Sequence, residues 1–269
     1  MENTIVLNDV SYGTHERHKL DILIPENPIC TSGVILFIHG GGWVQGYKEG
    51  HTHDVRHFCS QGYISATMNY RFVDENTTVY DELDDITEAL KAIKIECSKY
   101  GFNIEKSILS GGSAGSHLAL LYAYTKAAQA PLTPVAVCVY CPPVDCAKPD
   151  FLLGISGEFE DWKYGVISKC CGIQINKETL LNPEQQEALK KMSPQEYVSE
   201  KCVPTAIFHG RIDELIPFSH IETFINSLSK KGVKNDLLIY ENSNHALDKD
   251  PEVAQQTRII IQDYAEKYF

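Results

Sequence analysis

The sequence predicts an α/β fold, with a mainly parallel central sheet flanked by helices on both faces and an antiparallel pair of strands at its N-terminal start. Three observations predict it. Short apolar runs, of the kind found in strands buried on both faces, recur along the chain. Helix-like segments separate them, and strand and helix alternate from residue 34 to the end except across 141–200.

The elements follow in order. Thr4 to Val10 and Lys19 to Ile24 alternate apolar and polar residues around Gly13, which suits an antiparallel pair with one wet face. The pattern then becomes continuously apolar: Val34 to Ile38, Tyr63 to Met68, Ser107 to Leu109, Val135 to Tyr140, Thr205 to Phe208 and Leu237 to Tyr240 are expected as buried strands. Between them, Thr52 to Gln61, Tyr80 to Tyr100, Ser113 to Ala128, Phe218 to Lys231 and Pro251 to Tyr268 are expected as helices. Residues 141–200 hold Pro142-Pro143, Pro149, Gly154, Trp162, Cys170-Cys171 and Pro183 without a sustained strand pattern. Long insertions in such sheets build binding sites, so this stretch is expected as a cap-like insertion over the site within one domain spanning 1–269.

Composition narrows the function. The chain has 269 residues, 43% hydrophobic and 22% charged, enough to bury one large core. Lys and Arg number 24 against 36 Asp and Glu, and the net charge of -12 repels phosphate backbones and anionic lipid headgroups. Nucleic-acid and membrane partners are not expected. The N-terminus lacks the basic segment and apolar core of a signal peptide, which gives a cytoplasmic expectation. Nine cysteines, odd in number and scattered, read as reduced thiols rather than a disulfide framework.

Two glycine-rich loops carry the chemistry. Gly111-Gly112-Ser113-Ala114-Gly115 lies between a strand and a helix, the setting of a nucleophile elbow, in which a sharp turn lifts a serine hydroxyl to the end of the sheet. The alternative is a tight turn and nothing more. His39-Gly40-Gly41-Gly42-Trp43 follows the first buried strand and leaves backbone amides free to face a ligand oxygen. Amides of Gly41, Gly42 and Ala114 are the candidate oxyanion donors, and loss of one such donor costs about 3–4 kcal/mol in barrier. A phosphate cradle is the competing use of this loop, but the spaced Gly-x-Gly-x-x-Gly and the Gly-Lys-Ser/Thr ending are missing. Trp43 and Gly112, on these two loops, are expected to line the substrate pocket.

A serine hydroxyl needs a base near neutral pKa, and that base needs a carboxylate to fix its tautomer. His209-Gly210-Arg211-Ile212-Asp213-Glu214 follows one strand and Glu241-Asn242-Ser243-Asn244-His245 follows the next, giving the order Ser113, Asp213, His245, with Glu214 as the competing acid. All three loops leave the carboxyl ends of strands, where ligands bind in open α/β sheets. Among the other histidines, His51, His53 and His57 do not share one helical face, which disfavours a metal site and reads as surface. His117 is expected to bond locally, His39 and His209 to hold loops, and His15, His18 and His220 to be peripheral.

At these residues the sequence resembles the α/β-hydrolase superfamily, and more narrowly the hormone-sensitive-lipase-like and acetylxylan/feruloyl-esterase-like carboxylesterases, over about residue 18 to the C-terminus. Asn69-Tyr70-Arg71, Asp84-Asp85 and Ser193-Pro194 add to the resemblance, with Tyr70, Arg71 and the Asp pair expected to be structural. The resemblance implies Ser113 as nucleophile, His245 as base then acid, Asp213 as its orienter, and Gly41, Gly42 and Ala114 as oxyanion donors, with no metal and no cofactor. Gly112 and Ser116 depart from the usual form, a larger residue and a second glycine being customary there. Small residues at the elbow and the lack of a long apolar lid point to a small-molecule ester of a short acid, with acetylated sugars or aryl esters following only from the resemblance. Amide hydrolysis, as in arylformamidases or oligopeptidase-like relatives, and ligand binding without catalysis are the two alternatives.

Overall fold

The computed structural model describes residues 4–153 and 158–269. Its sheet contains β1 (Ile5–Ser11), β2 (Lys19–Ile24), β3 (Gly33–Ile38), β4 (Ser65–Met68), β5 (Lys106–Gly112), β6 (Thr133–Tyr140), β7 (Thr205–Gly210) and β8 (Asn235–Tyr240). The spatial order is β1-β2-β4-β3-β5-β6-β7-β8. β1 pairs antiparallel with β2, and β2 antiparallel with β4; every later pairing is parallel. The expected sheet is therefore the observed one.

The helices are α1 (Thr52–Ser60), α2 (Val79–Lys99), α3 (Ala114–Thr125), α4 (Pro149–Leu152), α5 (Glu158–Cys171), α6 (Pro183–Lys191), α7 (Phe218–Lys230) and α8 (Pro251–Tyr268). Strand alternation divides their burial between two faces. In β3, Ile35 and Phe37 pack with Val55 and Phe58 of α1 and Ile261 and Tyr264 of α8. Val34, Leu36 and Ile38 point the other way, into the larger core with α2, α3 and α7. Residues 114–123 of α3 are all buried, which explains why this helix is apolar on every side.

The stretch without a strand pattern folds into the three helices α4, α5 and α6. Val144, Phe151, Ile167, Cys170, Leu180 and Met192 belong to the same core cluster as Leu118 of α3 and Ile86 of α2. Gly154 lies outside the described residues. Boundaries shift by one to three residues elsewhere, and one shift has a physical cause: the elbow helix begins at Ala114 because Ser113 has φ 53° and ψ -118°, outside helical geometry. All nine cysteines carry free thiols, and among the described residues no helix is long and apolar enough to cross a membrane.

Candidate active site

The site is assembled at the carboxyl ends of β3, β5, β7 and β8. Ser113 caps β5 at the elbow, and its amide donates to Tyr140 O on β6 at 2.8 Å. The two outer glycines of the motif are needed for close approach rather than for their dihedrals. A Cβ at Gly115 would lie 2.1 Å from Ile38 O, and one at Gly111 2.4 Å from the same oxygen, so only glycine lets α3 and β5 meet the end of β3. At Gly112 an added Cβ meets nothing within 4 Å. Ser116, at the other unusual position, has its hydroxyl 2.6 Å from both Gly111 O and Tyr140 O, which share its one proton, and accepts from Tyr140 N at 3.1 Å, tying the elbow to β6.

The three residues expected to act together are brought together. His245 Nε2 is 2.9 Å from Ser113 Oγ, and His245 Nδ1 is 2.7 Å from Asp213 Oδ2. The other Asp213 oxygen accepts from the amides of Leu215 and Ile216, both at 2.9 Å. Burial pushes the Asp213 carboxyl up, but the hydrogen bond and charge of His245 with the Ile216 amide outweigh it and hold the group below the ordinary carboxylate range. Glu214, the competing acid, is exposed. Behind the carboxylate, Cys141 and His209 approach Asp213, with candidate ligand atoms within 4.8 Å of one another. Both Asp213 oxygens are already engaged, and His209 Nε2 donates to Ile216 O at 3.1 Å. Burial lowers His209 to about 4, so a neutral imidazole holds this turn in place.

Gly41 and Gly42 have φ of 120° and 56°, and among the described residues their amides donate no hydrogen bond. The Ala114 amide is the first of α3 and has no intrahelical acceptor. Trp43, at φ 62°, donates from Nε1 to His117 Nδ1 at 3.2 Å. His117 Nε2 in turn donates to Met192 O at 2.6 Å. Burial lowers His117 to about 4 and keeps it neutral, and one tautomer satisfies both bonds. This histidine thus links the glycine loop to the end of α6 rather than bonding locally. His39 accepts the loop-holding role: its Nδ1 faces Gly40 O at 2.7 Å, and its ring stacks on Tyr70 at 4.2 Å. Arg71 grips Asp85 through Nε at 2.9 Å and Nη2 at 2.7 Å, a structural pair.

Two histidines expected at the periphery are not there. His220 is buried and bonds Asp150 at 2.9 Å, joining α7 to α4, and His18 stacks on Tyr12 and reaches Asp85 at 3.1 Å. His51, expected at the surface, is half-buried beside Phe37. Asp250 passed without notice in the sequence. It accepts from Asn242 N and Nδ2 at 3.0 and 2.7 Å and from Ser243 Oγ at 2.6 Å, so it pins the turn that carries His245.

Ser113 and His245 sit between two cavities. One, of about 300 Å³, runs beneath α5 and is lined by Gly41, Gly42, Trp43, Phe151, Trp162 and Ile216, among others. The second, of about 540 Å³, is less apolar than the first and has His39, Tyr47, His51, Asp54, Gly112 and Arg258 in its lining, among others. Trp43 and Gly112 therefore stand on opposite sides of the serine.

The BD-FAE family model matches residues 20–228. The chain is 27% identical over 264 residues to the rice (Oryza sativa subsp. japonica) "Probable isoprenylcysteine alpha-carbonyl methylesterase", covering 89% of this chain and 58% of the relative. It is 28% identical over 247 residues to the Mycobacterium tuberculosis "Probable carboxylic ester hydrolase LipM", covering 89% and 56%. The chain thus spans little more than half the length of these curated relatives. Among solved structures, esterase B of Lactobacillus rhamnosis superposes with a TM-score of 0.76 at 17% identity, over 98% of this chain and 86% of that one, a likeness of fold. With 20–228 matched and the sheet order, elbow and glycine loop in place, the chain belongs to the BD-FAE family and has the α/β-hydrolase fold.

Proposed function

We propose that the protein is a serine carboxylesterase that hydrolyses small esters of short acids through an acyl-enzyme. The observation that carries this reading is the line of hydrogen bonds from Ser113 Oγ to His245 (2.9 Å) and from His245 to Asp213 (2.7 Å), with the serine on a positive-φ elbow. Asp213 holds the imidazole with Nδ1 protonated and Nε2 free to accept. As Ser113 Oγ bonds to the ester carbon, its proton passes to His245 Nε2, and the carbonyl oxygen becomes an anion facing the amides of Gly41, Gly42 and Ala114. Collapse breaks the bond to the alcohol oxygen, which takes the proton from His245. Water then gives a proton to His245, attacks the acyl carbon, and releases the acid as Ser113 regains its hydrogen.

The cap role of 141–200 belongs to the same proposal. Helices α4 and α5 contribute Phe151, Trp162, Val166 and Ile167 to the smaller cavity beside Ser113. The acyl group stays bound to the serine while the alcohol leaves, so the smaller, more apolar cavity suits the acyl chain and the wider, more polar one the leaving group. A polar alcohol, such as a sugar hydroxyl, or an aryl alcohol fits that groove between His51, Asp54 and Arg258.

Release of p-nitrophenol from a series of esters, acetate to decanoate, tests the reading with the parent and Ser113→Ala. Turnover strongest on short chains and lost in the variant supports it. Equal release by both proteins, or none on any chain, overturns it.

A further inference from the structure

Lys163 is used by neither the proposed hydrolysis nor, among the described residues, any ion pair. It projects from α5 into the lining of the 300 Å³ cavity that also contains Ser113 and His245, and it is only 8% exposed. Its ammonium donates to Phe151 O and, at 3.5 Å, to Leu215 O, and sits 4.1 Å from the Phe151 ring centroid. Among the described residues no carboxylate lies within 4 Å of it. Through space the Cys146 thiol and then Asp213 act on it; Cys146 is buried, and both Asp213 oxygens are engaged by His245 and the Leu215 and Ile216 amides. A buried ammonium without a counter-charge costs several kcal/mol, which is why such groups are paired or serve a ligand. Burial draws Lys163 down to about 8, so it remains mostly charged at neutral pH. Two carbonyls take two of its three N–H groups, and the third has no acceptor among the described residues.

We propose that Lys163 is a specificity residue that binds the far end of the acyl chain, so that the preferred substrates are half-esters of short dicarboxylic acids, with a carboxylate distal to the scissile ester. The proposal rests on the esterase reading above and names the acid that esterase accepts. Apart from the Gln45 amide, the other described residues facing this cavity are apolar or belong to the glycine loop and triad, and among the described lining Lys163 is the one fixed positive charge. The cavity is also larger than an acetyl group requires, leaving space for a few methylenes between ester carbon and terminal anion. A carboxylate there would accept a charge-assisted hydrogen bond and neutralise the buried ammonium at once. The overall charge of -12 disfavours anionic ligands elsewhere on the molecule, so recognition of one needs a local cation of this kind.

The test compares monomethyl glutarate with methyl valerate, esters of similar length with and without the terminal carboxylate, by methanol release. The parent is expected to turn over the anionic ester at least as well, and Lys163→Met to lower the ratio of kcat/KM values, anionic over neutral, by at least about tenfold, mainly through KM. Loss of the carbonyl contacts alone would slow both esters and leave the ratio unmoved; a ratio unchanged within about twofold overturns the proposal. So does a parent that hydrolyses the valerate and ignores the glutarate. A second measurement needs no variant and no turnover: calorimetric binding of 5-oxohexanoate against 2-hexanone to the parent. Binding of the anion at least about tenfold tighter supports the assignment, and equal or weaker binding overturns it. Failure of every ester with the calorimetric preference intact would instead sink the esterase reading.

Discussion

Ser113 is held at φ 53°, ψ -118°, a conformation that costs a non-glycine residue about 1–3 kcal/mol and persists only where its surroundings enforce it. Here the Tyr140 carbonyl, Ser116 and the close packing of Gly111 and Gly115 on Ile38 do so. Removing the hydroxyl in Ser113→Ala is expected to lower ester turnover by at least about 10⁴-fold, read as p-nitrophenol release, while leaving the backbone strain, which comes with any Cβ at this φ, unchanged. Asp213→Asn leaves the shape intact but presents an amide to His245 Nδ1 and favours the wrong tautomer. Its kcat should fall by about 10⁴-fold, and a loss under about tenfold would show that the carboxylate is not the orienting group. The grouping of Ser113, Asp213 and His245 was legible in the sequence because each follows a strand with an unmistakable apolar run. Lys163, Asp250 and Glu82 were not, since their burial comes from contacts with distant segments that no local pattern records.

Elements matter through the loops they hold. Gly112 and Gly115 sit in one motif but obey different constraints. Gly115→Ala would drive a methyl to 2.1 Å from Ile38 O and is expected to cost more than about 3 kcal/mol or abolish folding. Gly112→Ala enters open space and should change the denaturation midpoint by less than about 0.5 kcal/mol equivalent. Equal destabilisation of the two would contradict the packing described at the elbow. The turn after β8 depends on Asp250, whose carboxylate is held low chiefly by the Ser243 hydroxyl. Asp250→Ala frees Asn242 and Ser243 and should reduce kcat more than KM, because His245 then samples positions away from Ser113. The strands and the five longer helices outside 141–200 were readable from their periodicity. Helices α4 to α6 were not, because proline and glycine interrupt their pattern and their packing on α2 and α3 supplies what the sequence lacks.

At the scale of the whole molecule, the larger core encloses one acid that serves no pair. Glu82 on α2 is fully buried and neither of its oxygens has a partner among the described residues. Burial first, and the nearby Asp85 charge second, raise its pKa well above the ordinary value. The folded protein therefore holds this proton more tightly than the unfolded chain. The stability tied to it is complete below the unfolded carboxyl pKa of about 4.3 and is lost as pH rises toward the folded value. Glu82→Gln removes that titration without changing shape. Its Tm should exceed that of the parent by about 2–4 °C or more at pH 8, with the advantage shrinking toward pH 4.5; a constant difference across that range would show that Glu82 does not titrate between the two states.

Under the proposed mechanism one serine, Ser113, carries the covalent chemistry. Titrating the protein with a fluorophosphonate and following both intact mass and residual ester turnover tests it most directly. A single adduct per chain is expected, located on the peptide containing Ser113, with turnover falling in proportion to labelling. Full labelling with turnover retained, or an adduct on another residue that abolishes turnover, would contradict it.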